Sequence, residues 1–256
     1  MDEYDKTRDF FAKNSGYYSK SESHAGDNDL NILVDMLELK GNMIGLEGNM
    51  IGLDAATGAG FTAVKMAQKI SKVYALDMVD NMLEETKKLA EKEGLGNVIT
   101  VKGYVDSMPF EDKKFNVVTS RRAPHHFRDK NKFAAECYRV LQEGGRIGID
   151  DMTAPDNVIK NLNEMERIRD PSHMCAASPE EWRKILEDAG FGNIKSKIYS
   201  RQVTFEQWLN PVDKSSDEGI KSLEYLVNGR NAFTSAIRWD GKSFYKSWVV
   251  IVGTKL

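Results

Sequence analysis

Residues 53–60 read Leu53-Asp54-Ala55-Ala56-Thr57-Gly58-Ala59-Gly60, an apolar run that ends on an acid and enters a turn with two glycines. Glycine admits positive φ and lets a backbone approach a ligand closely, and open α/β sheets bind ligands at the carboxyl ends of their strands. The stretch therefore reads as the strand, turn and helix start of a nucleotide-type site.

Two ligand classes compete for such a turn. Gly58-Ala59-Gly60-Phe61-Thr62-Ala63 satisfies G-x-G-x-x-A, the pattern of dinucleotide binders, although a lone match of that form is weak. Asp54 separates the candidates, because a carboxylate at the strand's end repels a pyrophosphate and attracts the ammonium and sulfonium of S-adenosylmethionine. Asp77, expected to end the second strand, suits either ligand, since both carry a ribose whose hydroxyls a carboxylate can accept.

Outward from this turn, residues 49–152 alternate short apolar runs with longer amphipathic stretches, the pattern of βαβ units in a parallel sheet. Strands are expected at Met50–Asp54, Lys72–Asp77, Val98–Lys102, Phe115–Ser120 and Gly145–Asp150, and helices at Phe61–Lys69, Asp80–Glu93 and Lys130–Leu141. Gly94 and Gly144 fall where helix C-caps belong. Further on, Ser178, Pro179 and Glu181 form an N-cap, N1 and N3 set opening a helix that Gly190 closes, with a strand at Asn193–Tyr199. Thr204–Gly229 is weakly patterned and reads as a cap over the site. Asp240-Gly241 between Ser235–Trp239 and Phe244–Val252 is a hairpin signal. Gly41–Glu47 and Gly48–Asp54 repeat as GNMIGLE and GNMIGLD; the second copy adjoins the turn and is the first strand, and the first reads as a duplication without function.

Composition narrows the function. The chain has 256 residues, 41% hydrophobic and 29% charged, with a net charge of -3. That describes a globular protein of one domain, 1–256, with N-terminal lid helices over 1–40, a core over 49–152 and a cap with C-terminal strands over 153–256. It carries no dense positive field for a phosphate backbone, so a nucleic-acid substrate is disfavoured. No run approaches the roughly 18 apolar residues of a membrane span and the start lacks a secretory profile, so a cytoplasmic location is expected. Cys137 and Cys175 lack the spacing of a metal site or a disulfide framework.

Gly103-Tyr104-Val105-Asp106-Ser107-Met108-Pro109-Phe110, Phe115-Asn116-Val117-Val118 and Tyr138-Arg139-Val140-Leu141-Gln142-Glu143-Gly144-Gly145-Arg146 complete a set of blocks with residues 53–60. In type, order and spacing these blocks resemble the class I S-adenosylmethionine-dependent methyltransferases, in their ubiquinone/menaquinone-biosynthesis-like branch. A narrower likeness runs through Arg121–Phe127, Asp151–Asp156 and Arg167–His173 to a bacterial and archaeal group of that branch. The resemblance implies a Rossmann-like, doubly wound, seven-stranded, mostly parallel sheet with an antiparallel C-terminal hairpin strand and a helical lid and cap.

It also implies roles. Asp54, Ala55, Ala56, Thr57, Gly58 and Gly60 hold the methionine moiety, Asp77 the ribose hydroxyls and Met78 the adenine face, while Val105 offers a backbone N–H to the adenine. The family's usual acid for the adenine amino group is replaced by Tyr104, for which Asp106 is a substitute two residues on. Its usual glycine is Ala56. Arg121 borders the methionine end, and the segment holding Tyr18 and His24 folds over the cofactor.

Methyl transfer from a sulfonium is an in-line displacement, so the protein positions, desolvates and takes a proton where the nucleophile carries one. His125, His126 and Asp150 are the expected bases, at strand ends that face the crevice, with His24, Asp151 and His173 on the substrate side. Asp150 and Asp151 lack a third oxygen ligand for a divalent metal, so none is expected. The lead expectation is an enzyme that methylates a small-molecule acceptor as a monomer or homodimer. An NAD(P)-dependent oxidoreductase and a non-catalytic cofactor-binding partner subunit are the alternatives.

Overall fold

The computed structural model describes residues 3–18, 28–39, 49–229 and 232–256. His24 and the first GNMIGLE copy lie outside these residues, as does the side chain of Tyr18, whose backbone ends the first helix. Helices α1 (Glu3–Tyr18) and α2 (Asn28–Met36) precede β1 (Ile51–Ala55), α3 (Phe61–Ala67), β2 (Lys72–Asp77), α4 (Asp80–Lys92) and β3 (Val98–Lys102). Next come β4 (Phe115–Arg121), a 3-10 turn (Pro124–His126), α5 (Lys130–Val140) and β5 (Leu141–Thr153). The chain continues through α6 (Ile159–Arg169), α7 (Pro179–Asp188), β6 (Phe191–Thr204), α8 (Phe205–Leu209), α9 (Asp217–Asn228), α10 (Ala232–Ala236) and β7 (Ser243–Lys255).

The strands form one 7-stranded sheet in the order β3-β2-β1-β4-β5-β7-β6. β7 alone in this sheet runs antiparallel to its neighbours, pairing β5 on one side and β6 on the other. Every residue of β4 is buried, as a central strand covered on both faces must be. α5 and α7 cover one face through Phe133, Cys137, Trp182 and Leu186, and α2 with Leu37 just after it and α3 cover the other, through Leu33, Ala63 and Met66. A third apolar cluster, with Phe205, Trp208, Phe233, Phe244 and Trp248, seats the cap helices on the ends of β6 and β7. Strand order reverses between β1 and β4, which opens a crevice at their carboxyl ends.

Local signals mark several boundaries. The Ser178–Glu181 capping box is present, with Glu181 N–H donating to Ser178 Oγ at 3.1 Å and Ser178 N–H to Glu181 Oε2 at 2.7 Å. The expected hairpin about Asp240-Gly241 is a correction. Ala232–Ala236 is helical, and β7 pairs instead with β6, from Thr204 opposite Ser243 to Phe191 opposite Lys255. The Asp240 carboxylate accepts the N–H groups of Lys242 and Ser243, so the turn signal belongs to the entry into β7. β5 and β6 also run past their expected ends, because each is paired with β7 over most of its length. Gly144 consequently lies inside β5, near the register shift between Phe115 and Val117, rather than at a helix C-cap.

Candidate active site

The crevice is a cleft with ≈ 960 Å³ of empty space, continuous with solvent. Its floor is the glycine-rich turn from Ala56 to Ala59 with Phe61 and Thr62 at the start of α3. One wall is Asp77, Met78, Val79, Met82, Gly103, Tyr104 and Val105; the other is Arg121, Arg122, Ala123, His126 and Phe127. Tyr4, Thr7 and Phe11 of α1 close the top. Tyr4, Thr7 and Phe11 are spaced three and four apart and share a helix face, which explains how this polar helix presents three contact residues to the cleft.

The turn is held from below and from the side. Asp54 is 1% exposed and does not line the cleft; its oxygens accept Thr57 Oγ1 at 2.6 Å and Thr119 Oγ1 at 2.9 Å. Burial pushes its pKa up to about 6 against those hydrogen bonds and the Arg121 charge. The expected direct contact between Asp54 and a ligand is thus replaced by an indirect one through Thr57, which does line the cleft. Asp77 stands in the wall itself. Its Oδ2 accepts the Gly58 N–H and its Oδ1 the Val79 N–H, both at 2.9 Å. Burial raises this carboxyl to about 6 as well, opposed by the backbone N–H groups.

Ala56, where the family's glycine is expected, has φ 55, a left-handed conformation that costs an L-residue roughly 1 kcal/mol. Gly58 has φ +56 with open space where a Cβ would stand. Ala55 is fully buried, and Ser120 Oγ donates to its carbonyl at 2.8 Å. Tyr104 lines the cleft at 42% exposure, its ring 5.2 Å from that of Tyr4. Asp106 does not line the cleft; its carboxylate accepts the Tyr4 hydroxyl and so ties α1 to the β3 side.

Beyond the Arg121 side of the cleft, five expected polar groups separate. Arg121 lines the cleft, with Nη1 2.7 Å from Asp29 Oδ2 and Nε donating to Thr62 Oγ1 at 3.1 Å. Asp150 lies behind it, accepting the Tyr199 hydroxyl at 3.0 Å. Burial and the neighbouring Asp29 carboxylate push Asp150 well above the carboxylate range, so it is a neutral acid in contact with an anion that Arg121 and Arg122 hold ionised. Asp151 points to the opposite face of β5, with Oδ1 2.5 Å from His125 Nδ1, and burial raises it to about 7. Burial holds His125 well below its ordinary value, so the pair keeps one proton between them at neutral pH. His173 Nε2 meets Asn163 Oδ1 at 2.7 Å and its ring stacks on His125 at 5.5 Å.

His126 is the imidazole among the lining residues. Its ring meets Phe11 edge-on at 4.9 Å, and its Nδ1 is 3.0 Å from the Ser172 carbonyl oxygen. His125, Asp150, Asp151 and His173 stand behind the wall. Sequence reasoning passed over Tyr4, Thr7, Phe11, Asp29 and Arg122. None has a local signal, since each reaches the cleft or its supports only through long-range packing. Among the described residues no group of three or more His, Cys, Asp or Glu side chains is arranged to hold a metal ion.

Comparison with known proteins gives the chemistry. A profile described as "Methyltransferase domain" matches residues 46–190. The chain is 26% identical over 253 residues to an uncharacterized methyltransferase, YcgJ, of Bacillus subtilis, covering 96% of this chain and 97% of the relative. A crystal structure of a putative methyltransferase from Bacillus halodurans superposes with a TM-score of 0.81 at 29% identity, covering 90% of this chain and 99% of that one. Over 108 residues the chain is 33% identical to the ubiquinone/menaquinone biosynthesis C-methyltransferase of a Marinomonas species, 41% of this chain and 43% of that protein.

Proposed function

The chain belongs to the methyltransferase domain family, and from that premise we propose that it binds S-adenosylmethionine in the cleft and methylates a small-molecule acceptor beside it. The observation that carries the cofactor assignment is the Asp77–Gly58 hydrogen bond in the cleft wall. A phosphate-binding turn directs its amides at the ligand, but here the Gly58 amide is engaged by a carboxylate. A second acid, Asp54, lies beneath the same turn. Two carboxyls at that point repel a pyrophosphate and favour a cationic ligand.

When bound, S-adenosylmethionine supplies an electrophilic methyl group on a sulfonium. The residues present fit it. Asp77 retains lone pairs for ribose hydroxyls beyond those taken by Gly58 and Val79. Met78 and Val105 flank the adenine, the latter also offering its backbone N–H, and Tyr104 with Tyr4 closes that end. Ala56, Thr57 and Gly58 shape the floor for the methionine portion, Gly60 turns the chain into α3 against Thr86, Asp54 and Ala55 hold that floor from beneath, and Arg121 borders it. α1 excludes water from above. Of the bases expected from the sequence, His126 faces the cleft, with the His125–Asp151 pair and His173 packed behind it and Asp150 behind Arg121 instead. A cytoplasmic monomer or homodimer completes this reading; among the described residues no helix is long and apolar enough to cross a membrane.

Thermal-shift measurements with S-adenosylhomocysteine, NAD and ATP in parallel test it. The homocysteine compound is expected to raise the melting temperature and the other two to leave it unchanged. Stabilisation by NAD or ATP alone would overturn the assignment.

A further inference from the structure

His126 sits where its two ring nitrogens have different surroundings. Nδ1 is 3.0 Å from the Ser172 carbonyl oxygen and 3.2 Å from Ser172 Oγ. A carbonyl only accepts, and the Ser172 hydroxyl gives its own proton to Asp170 Oδ1 at 2.5 Å, so both neighbours turn lone pairs toward Nδ1. Nδ1 therefore carries the hydrogen. In a neutral imidazole this leaves Nε2 as a bare lone pair, on a ring that lines the cleft. Asp170 is locked in turn by the Ser172 N–H at 2.9 Å, so Asp170, Ser172 and His126 form one buried chain.

We infer that His126 Nε2 takes the acceptor's proton during methyl transfer, that Ser172 and Asp170 are positioning residues that hold it in the Nδ1–H form, and that the acceptor's nucleophilic heteroatom therefore bears a proton. The inference rests on the S-adenosylmethionine reading above and adds the acceptor's class: a hydroxyl, thiol or N–H amine, not a tertiary amine or thioether. In the step, the nucleophile's electron pair forms the bond to the methyl carbon and the carbon–sulfur pair remains with sulfur. His126 Nε2 receives the proton released by the nucleophile, and the positive charge passes from sulfur to the imidazolium.

The surroundings suit that charge transfer. The titratable groups facing His126 are His125 in the same 3-10 turn with ring centroids 4.1 Å apart, His173 at 6.5 Å, Asp170 in the loop after α6, and Asp151 on β5. From α1 the contact is the uncharged Phe11. His125 and His173 are both held neutral by burial, so neither opposes a charge on His126 at neutral pH. Burial alone would raise Asp170, but a positive charge at His126, the Ser172 hydrogen bonds and Arg169 together hold it below its ordinary value. An imidazolium formed at His126 thus meets a fixed carboxylate one residue away through Ser172.

The test is a long-range ¹⁵N–¹H NMR spectrum of the histidine side chains in the intact protein, with and without S-adenosylhomocysteine, the His126 signals being assigned by their loss in His126→Gln. The expected result is the Nδ1–H form at neutral pH in wild type. The same form is expected in Ser172→Ala, which keeps the backbone carbonyl that accepts the Nδ1–H. Asp170→Asn is expected to move the acid limb of kcat/KM toward lower pH, and His126→Gln to lower kcat by roughly 100-fold or more while homocysteine-compound affinity holds. A dominant Nε2–H form in wild type overturns the inference without any variant having to fold. An unmoved acid limb in Asp170→Asn overturns the positioning role. Absence of S-adenosylhomocysteine binding in calorimetry removes the underlying reading instead, whereas binding together with an Nε2–H imidazole removes this inference alone.

Discussion

The carboxylate of Asp77 accepts the backbone N–H of Gly58 at 2.9 Å, joining the carboxyl end of β2 to the turn after β1. Because its second oxygen accepts Val79 N–H, the side chain is fixed before any ligand arrives, and ordering it costs nothing on binding. The cleft is therefore preorganised at the point where a ribose would meet it.

That geometry makes binding sensitive to acid. With the Asp77 carboxyl raised to about 6, affinity for S-adenosylhomocysteine should be level above pH 7 and fall as pH drops through 6, as protonation removes acceptor capacity. Asp77→Asn should bind roughly 10-fold more weakly, or worse, because a hydrogen bond to a charged group is lost. Titration calorimetry from pH 5 to 8 checks both, and an Asn variant with undiminished affinity would contradict the role.

The two glycines of the turn should fail in different ways. At Gly60, φ is +89 and an added Cβ would stand 2.8 Å from Thr86 Oγ1 and 3.0 Å from Thr86 Cα, so Gly60→Ala should destabilise the fold by about 2 kcal/mol. At Gly58 no atom lies within 4 Å of an added Cβ, which would project into open space in the cleft. Gly58→Ala should cost about 1 kcal/mol of stability from its φ of +56 yet lose most cofactor affinity. Urea denaturation beside binding titrations separates the two; equal stability losses would refute the distinction.

Asp29 anchors α2 to the cleft wall through Arg121 at 2.7 Å and Arg122 at 3.0 Å, with Asp29 and Arg121 buried and Arg122 partly so. Asp29→Ala removes the carboxylate that Arg121 and Arg122 share and should destabilise the protein by about 3 kcal/mol. A loss under 1 kcal/mol in chemical denaturation would show the cluster to be solvated in solution.

Buried carboxyls set the pH dependence of stability. Asp54 and Asp77 at about 6 and Asp151 at about 7 are raised above their unfolded values, so the native state binds protons the unfolded chain has released. Their contribution is complete below about pH 4 and is lost as pH rises through 6 to 7. His125 and His173, held below their ordinary values, act in the opposite sense up to about pH 6.5, where the unfolded histidines lose their protons. Asp150, pushed well above the carboxylate range by burial and Asp29, acts in the same sense, and four carboxyls against two imidazoles leave a net fall, so the ligand-free protein should melt lower at pH 8 than at pH 5. Asp151→Asn should flatten that fall, and a melting curve series unchanged by the substitution would disprove the attribution.

Much of this could be read from residue order. The alternation of apolar runs and amphipathic stretches over residues 49–152 located five strands, four of them close to their observed ends, because period and capping are local properties. The Ser178–Glu181 cap was equally plain for the same reason. The Asp240-Gly241 signal misled because a turn residue says nothing about which chain precedes it. β7's partner lies before three cap helices, and Val203 opposite Phe244 is a pairing no window of neighbouring residues contains.

Residue order by itself determined the sheet, the glycine turn and the acid at the end of each of the first two strands, since strand periodicity and tight-turn chemistry are written in adjacent side chains. The folded chain decided what those side chains face. Asp150 and Asp151 are neighbours, yet the pleat sends one to Arg121 and Tyr199 and the other to His125. Of two consecutive histidines, the 3-10 turn puts one in the cleft wall and one behind it. Such choices depend on contacts between segments far apart in the chain, where packing rather than local propensity has the larger free energy.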